Sequence, residues 1–150
     1  MPKSEPAIQK FMTQQPLFIE AKESVEAAQD MLSKYGIRHL PVMRDGELVG
    51  ILSEREINLA CNIDTIDPRQ LLVIDICSED PYVVDPETPL REVVAVMASK
   101  HYGSAVVMQN DKLVGIFTTV DACRALSQLI ESDIVQANLK RINFFRHPVK

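Results

Sequence analysis

Apolar and polar positions along this chain fall into two textures. Some runs are apolar almost without a break: Leu17-Phe18-Ile19, Leu40 to Met43, Leu48 to Leu52, Tyr82-Val83-Val84 and Leu113 to Phe117. Elsewhere apolar residues return every three or four positions, as in Val25, Ala28, Met31, Leu32 and Tyr35, or Leu90, Val93, Val94 and Met97. The first texture predicts short strands, those starting at Leu40, Leu48 and Leu113 being covered on both faces. The second predicts amphipathic helices. Ser24 is the expected N-cap of the first helix. Thr88 is the expected N-cap of the second, with Pro89 at its first helical position, where a missing N–H costs nothing. Asp45-Gly46 predicts a tight hairpin turn between two strands, and Asn110-Asp111 a weaker form of the same turn.

The pattern repeats. Shifting the sequence against itself by 65 residues aligns Pro16 with Pro81, Val25 with Leu90, Val42-Met43 with Val107-Met108, and Leu48-Val49-Gly50-Ile51 with Leu113-Val114-Gly115-Ile116. Ser53 then meets Thr118, and Glu56 meets Asp121. A duplication of this length predicts an α/β protein of two β-α-β-β-α repeats packed about a pseudo-twofold axis. The second helix of each unit is expected over Glu54 to about Cys61 and Thr119 to about Ile130. Short approach helices are expected around Ile8 to Met12 and Val73 to Cys77. The domains are read as 8–61 and 73–130, with a linker over 62–72 and a C-terminal extension over 131–150. In that extension Val135, Leu139 and Ile142 form a possible helix stripe, and Phe144-Phe145 add apolar bulk.

Composition narrows the class. There is no Trp and only 5% of residues are aromatic, so the cores must be aliphatic. The three Cys (61, 77 and 123) have no CxxC spacing, which argues against a disulfide framework or a zinc site. No segment reads as a signal peptide or a membrane span, and a cytoplasmic location is expected. Net charge is −5, unevenly spread. Four basic residues and no acid follow Ile134, so the remainder carries −9, from 12 basic and 21 acidic residues. An acidic body is a poor general surface for nucleic acid.

The chemistry is expected where the last strand of each unit turns into a helix. A helix N-terminus favours a phosphate through unpaired N–H groups and the positive end of its dipole. A hydroxyl there adds a hydrogen bond, and a carboxylate one turn later is placed to accept from both hydroxyls of a ribose. The competing reading is a capping box, hydroxyl to the N3 amide and carboxylate back to the N-cap amide. Glu56 suits that role better than Asp121, whose shorter side chain is expected to reach back poorly.

Gly-apolar-apolar-Ser/Thr-x-x-Asp at the second junction, Tyr35-Gly36-Ile37-Arg38-His39-Leu40-Pro41-Val42, and Ser53-Glu54-Arg55-Glu56 together resemble the CBS domain, named for cystathionine β-synthase, over about residues 8 to 130. The resemblance implies a regulatory module, not an enzyme, with no required cofactor. It implies an adenosine ligand between the repeats: AMP, ADP or ATP, with NAD or S-adenosylmethionine as alternatives. Residue by residue, Asp121 would take the ribose and Thr118 the phosphate, with Val83, Ala105 and Val106 lining the base. The second set is Ser53, Glu56, Phe18, Leu40 and Pro41, with Arg38, His39 and Arg55 as phosphate cations. Glu56 departs from the family's Asp. Gly103 and Ser104 replace Arg38 and His39 in the other copy, so the two sites should differ in charge. The resemblance also implies a homodimer. No effector domain is seen, so a separate regulated protein is expected. The alternatives are a ligand-free dimerisation scaffold and a nucleic-acid contact through the basic, aromatic tail. Asp121→Ala is expected to weaken ligand binding while leaving the fold intact.

Overall fold

The computed structural model describes residues 4–146, with side chains described to residue 143. In chain order it contains a 3-10 turn (Ile8–Lys10), β1 (Thr13–Gln14), β2 (Ile19–Glu20), α1 (Val25–Tyr35), β3 (His39–Arg44), β4 (Glu47–Ser53) and α2 (Glu54–Cys61). There follow α3 (Val73–Ile76), β5 (Val83–Val84), α4 (Leu90–Lys100), β6 (Ser104–Gln109), β7 (Lys112–Thr118) and α5 (Thr119–Arg146). The strands form two sheets, β2-β3-β4 and β1-β7-β6-β5. In each unit the short first strand runs parallel to the hairpin strand it joins, β2 beside β3 and β5 beside β6.

The duplication extends to backbone detail. Both hairpins carry an irregularity at the same place, Val42/Met43 and Val107/Met108. Both turn through two residues of positive φ: Asp45 at 52° and Gly46 at 81°, Asn110 at 52° and Asp111 at 61°. Two positive angles are what a two-residue hairpin needs, and Asn and Asp tolerate them better than other side chains. The first helix of each unit ends in the left-handed region, at Gly36 (62°) and at His101 (59°). These repeated departures from regular structure trace the pseudo-twofold relation between the units.

The sequence units are not the packing units. Ile8 is fully buried in the second core, beside Val84, Leu90, Val93 and Phe117. Val73 and Cys77 lie in the first core with Ile19, Val25, Leu40 and Leu52. Each approach segment therefore crosses to the other unit. β1 pairs with β7, matching Thr13 to Ile116. Ser78 exchanges backbone hydrogen bonds with Ile51, at 2.9 and 3.0 Å. The repeated strand glycines make this approach possible. A Cβ on Gly50 would stand 2.5 Å from the Ser78 carbonyl oxygen and 2.8 Å from Cys77 Sγ, and one on Gly115 would collide with Met12.

The exchange also corrects an expected cap. Ser24 does cap α1, accepting from the Ala27 amide at 3.1 Å. Thr88 does not cap α4, whose N-cap is Pro89 in extended conformation with no side-chain bond. The Leu90 amide instead donates to the Pro6 carbonyl at 2.8 Å, as the Val25 amide donates to Leu71 at 2.8 Å. A carbonyl from the crossing segment satisfies the orphan donor, so no hydroxyl is needed there. The extension is helical through Val135, Leu139 and Ile142, as their spacing predicts, but the helix does not end near Ile130: it is the uninterrupted continuation of α5 to Arg146. The apolar bulk of Phe144 and Phe145 falls on side chains outside the described residues.

Candidate functional site

Both strand-to-helix junctions are built as capping boxes. At the first, Glu56 Oε2 accepts from the Ser53 amide at 2.6 Å and from Ser53 Oγ at 3.1 Å, while Ser53 Oγ accepts from the Glu56 amide at 3.3 Å. At the second, Asp121 Oδ2 accepts from the Thr118 amide at 3.0 Å and from Thr118 Oγ1 at 3.3 Å. Asp121 therefore does reach back, contrary to the expectation for its shorter side chain. It is also held from two further sides. The crossing segment brings Thr13 Oγ1 to Asp121 Oδ1 at 3.3 Å, and Arg124 donates to the same oxygen at 3.1 Å. The Asp121 residue is only 5% exposed. The first helical amide of each junction is also taken, Glu54 by the Arg38 carbonyl at 2.8 Å and Thr119 by the Gly103 carbonyl at 3.2 Å.

The junctions differ in the space beside them. A cleft of about 450 Å³ opens at the first and is shared by both units. From the first unit Arg38, His39, Ser53, Arg55 and Glu56 face it; from the second, Tyr82, His101, Tyr102 and Ser104. Ser78 and Asp80 complete it from the segment between them. Asp121 borders a separate hollow of about 210 Å³ with Lys10, Thr13, Arg124 and Gln128. Small-molecule sites span roughly 300–1,000 Å³, so of these two junctions the first has room for a nucleoside and the second does not.

The cleft is lined by both charged and aromatic side chains. Arg38 lies 3.7 Å from Glu54 in a largely exposed pair, leaving the guanidinium free to turn to a ligand. His39 has its pKa lowered, first by burial and then by the neighbouring Arg38 charge, with Glu54 acting in the opposite sense. From the second unit the Tyr82 and Tyr102 rings stand 5.5 Å apart, tilted by 32°. Burial raises the Tyr82 pKa, so it stays a neutral phenol.

Five of the expected residues, Arg38, His39, Ser53, Arg55 and Glu56, come together on this cleft. Others do not. The Leu40 side chain is fully buried in the first core and Ala105 in the second, because alternation along β3 and β6 turns them inward. Pro41 and Val106 sit on the opposite sheet faces and are equally closed to solvent. None of these four side chains forms an open wall for a base. Val83 is 45% exposed, but the aromatic wall is made by its neighbour Tyr82. Phe18 borders a different hollow, with Met31 and Glu23. Thr118 spends its hydroxyl on Asp121. Tyr82, Tyr102, Ser78 and Asp80 went unread as site residues. In a chain with three Tyr and no Trp, two tyrosines flanking one unit's first strand and helix were the available signal.

The family model for the CBS domain matches residues 8–61 and again 73–128. The chain belongs to the CBS domain family. Among curated proteins, the CBS pair is 32% identical over 122 residues to inosine-5'-monophosphate dehydrogenase of Korarchaeum cryptofilum, covering 81% of this chain and 24% of that protein. It is 27% identical over 125 residues to the A-adding tRNA nucleotidyltransferase of Aquifex aeolicus, covering 83% of this chain and 15% of that one. The chain thus spans less than a quarter of these two relatives' length. Hypoxic response protein 1 of Mycobacterium tuberculosis is closer in size, 27% identical over 107 residues with 71% and 75% covered. Among solved structures, AcuB of Vibrio cholerae superposes with a TM-score of 0.77 at 24% identity, covering 85% of this chain and 95% of that one. The CBS domain pair of protein MJ0100, solved with 5'-methylthioadenosine and S-adenosylmethionine, gives 0.73 at 21% identity, covering 83% and 98%. At these identities the two structures show a shared fold. Among the described residues no helix is long and apolar enough to cross a membrane.

Proposed function

We propose that the cleft between the two CBS units binds one adenosine-containing ligand and that this CBS pair regulates a separate protein through it. The observation that carries the reading is the cleft's composition: two tyrosines from the second unit with Arg38 and Arg55 from the first, around about 450 Å³ shared by both units. In this reading the adenine stacks against Tyr82 and Tyr102, since any base presents a flat face to an aromatic ring. Arg38 and Arg55 take the phosphate by charge-assisted hydrogen bonds. Asp80 and Glu54 are the carboxylates open to a ribose diol, because Glu56 is committed to its cap. The adenosine ligands of the MJ0100 pair support the ligand class.

A ligand touching both units favours the arrangement in which they sit at the distance it spans. Affinity that differs between two arrangements is what moves their populations. The module is read as a homodimer whose arrangement the ligand biases and a regulated protein senses. The second junction is read as the lesser site, since a sugar there must displace Thr13 and Arg124 from Asp121. Isothermal titration with AMP, ADP, ATP, NAD and S-adenosylmethionine tests the proposal. Binding of one of them at one equivalent per chain, weakened about tenfold or more in Arg55→Ala, is expected. No binding of any would leave the scaffold reading in its place.

A further inference from the structure

We propose that binding in the shared cleft is proton-linked: the phosphate of a nucleotide enters together with a proton on the His39 imidazole. This rests on the nucleotide reading of the cleft and adds a second input to it, pH. His39 opens β3 and faces the cleft with Arg38 and Arg55, the two cations read as holding the phosphate. Its ring also stands where the units meet, with Nε2 over Gly103. A change of charge on this ring is therefore felt by the phosphate and by the contact between units alike.

The groups around the ring set the sign. Arg38 precedes it, and Glu54, Arg55 and Glu56 face the same cleft from α2. Asp80 and Tyr82 face it from the segment leading into β5, His101 and Tyr102 from the turn after α4. Glu56 is spent on the Ser53 amide at 2.6 Å, and Glu54 is shared with Arg38 at 3.7 Å. Glu54 favours a charged imidazole, but burial and Arg38 outweigh it and lower the His39 pKa. The free protein thus holds His39 neutral at pH 7. A phosphate reverses the balance. Its negative charge offsets Arg38, and its oxygens accept from an imidazolium more strongly than from a neutral ring. The pKa in the complex then lies above that of the free protein. Between the two values binding takes up a proton, and affinity grows as the pH falls.

Isothermal titration of the full chain with AMP, ADP, ATP, NAD, S-adenosylmethionine and adenosine, at about pH 6.5 in two buffers of different ionisation heat, counts the protons taken up. A phosphate monoester titrates near pH 6 itself, about equally in any variant, so the readout is the difference between the wild-type chain and His39→Gln. The wild-type chain should take up about half a proton more per nucleotide bound. Its affinity should rise about fivefold more between about pH 7.5 and about pH 6. Equal proton counts in the two proteins, with a nucleotide bound, would overturn the inference and leave the nucleotide reading standing. A count that follows His101→Gln instead would do the same. Binding of S-adenosylmethionine or adenosine alone, neither of which has a phosphate, would overturn the proton linkage and keep an adenosine ligand in the cleft. No binding of any of the six would overturn both.

Discussion

His39 of the first unit lies directly over Gly103 of the second: a Cβ built on Gly103 would stand 2.7 Å from His39 Nε2. The two units touch here at the lip of the shared cleft, and the touch requires the absence of a side chain. Gly103→Ala is expected to push the imidazole out of place and to destabilise the protein by about 1–3 kcal/mol, the usual cost of overpacking. The same substitution in a His39→Ala background should cost much less. Urea denaturation of the four proteins measures the coupling, and additive effects would mean that the pair does not bear on one another.

The same histidine sets a pH dependence. In the unfolded chain it takes up a proton near the ordinary value of about 6.5. In the folded protein burial and Arg38 lower that value. As the pH falls below 6.5, the unfolded state therefore binds more protons than the folded one, and stability is lost in that window. Above it the contribution is complete. The wild-type chain should lose more thermal stability between about pH 7.5 and about pH 5.5 than His39→Gln does. Equal losses would show that His39 is not responsible.

Asp121 is predicted to matter for stability first. Its carboxylate answers the Thr118 amide, Thr13 and Arg124 from a nearly closed position. Asp121→Ala should cost about 1.5–3 kcal/mol, the range for a hydrogen bond to a charged group. Glu56→Ala, which removes a more open cap, should cost about 0.5–2 kcal/mol. Chemical denaturation compares them. An Asp121→Ala protein as stable as the wild type would contradict the bonding described and return that carboxylate to the ribose role.

The crossing segments give a prediction about which half unfolds. Ile8→Ala should cost about 2–5 kcal/mol, as for other large-to-small changes at fully buried sites. The loss should appear in the second unit, where Ile8 is packed. Amide exchange should quicken in α4, β6 and β7 more than in α1, β3 and β4. The reverse distribution would contradict the exchange.

Much of this was legible in the residues. The ungapped duplication, the Asp45-Gly46 turn, the Ser24 cap and the bilaterally buried strands follow from local pattern. The Gly50 and Gly115 match was legible too, but not its reason, since a glycine does not announce which backbone comes close. Periodicity shows that Ile8 and Val73 are buried without showing against what, so the exchange was hidden. For the same reason Leu40 and Ala105 read as site residues: being on the right strand does not say which face. The length of α5 had a local signal, because no Gly or Pro interrupts the chain between Gly115 and Pro148. The role of Asp121 turned on Thr13, a partner 108 positions away that no local reading supplies.

The account's central claim is that a nucleotide spans the cleft from Tyr82 and Tyr102 to Arg38 and Arg55. Isothermal titration of the wild-type chain against Tyr82→Ala and Arg55→Ala, with each adenosine ligand in turn, tests it most directly. The account predicts one equivalent bound per chain, with affinity falling about tenfold or more in either variant, the ~1.5–3 kcal/mol of a stacked base or a charge-assisted bond. Binding that both variants leave unchanged, or no binding by the wild-type chain, would contradict it.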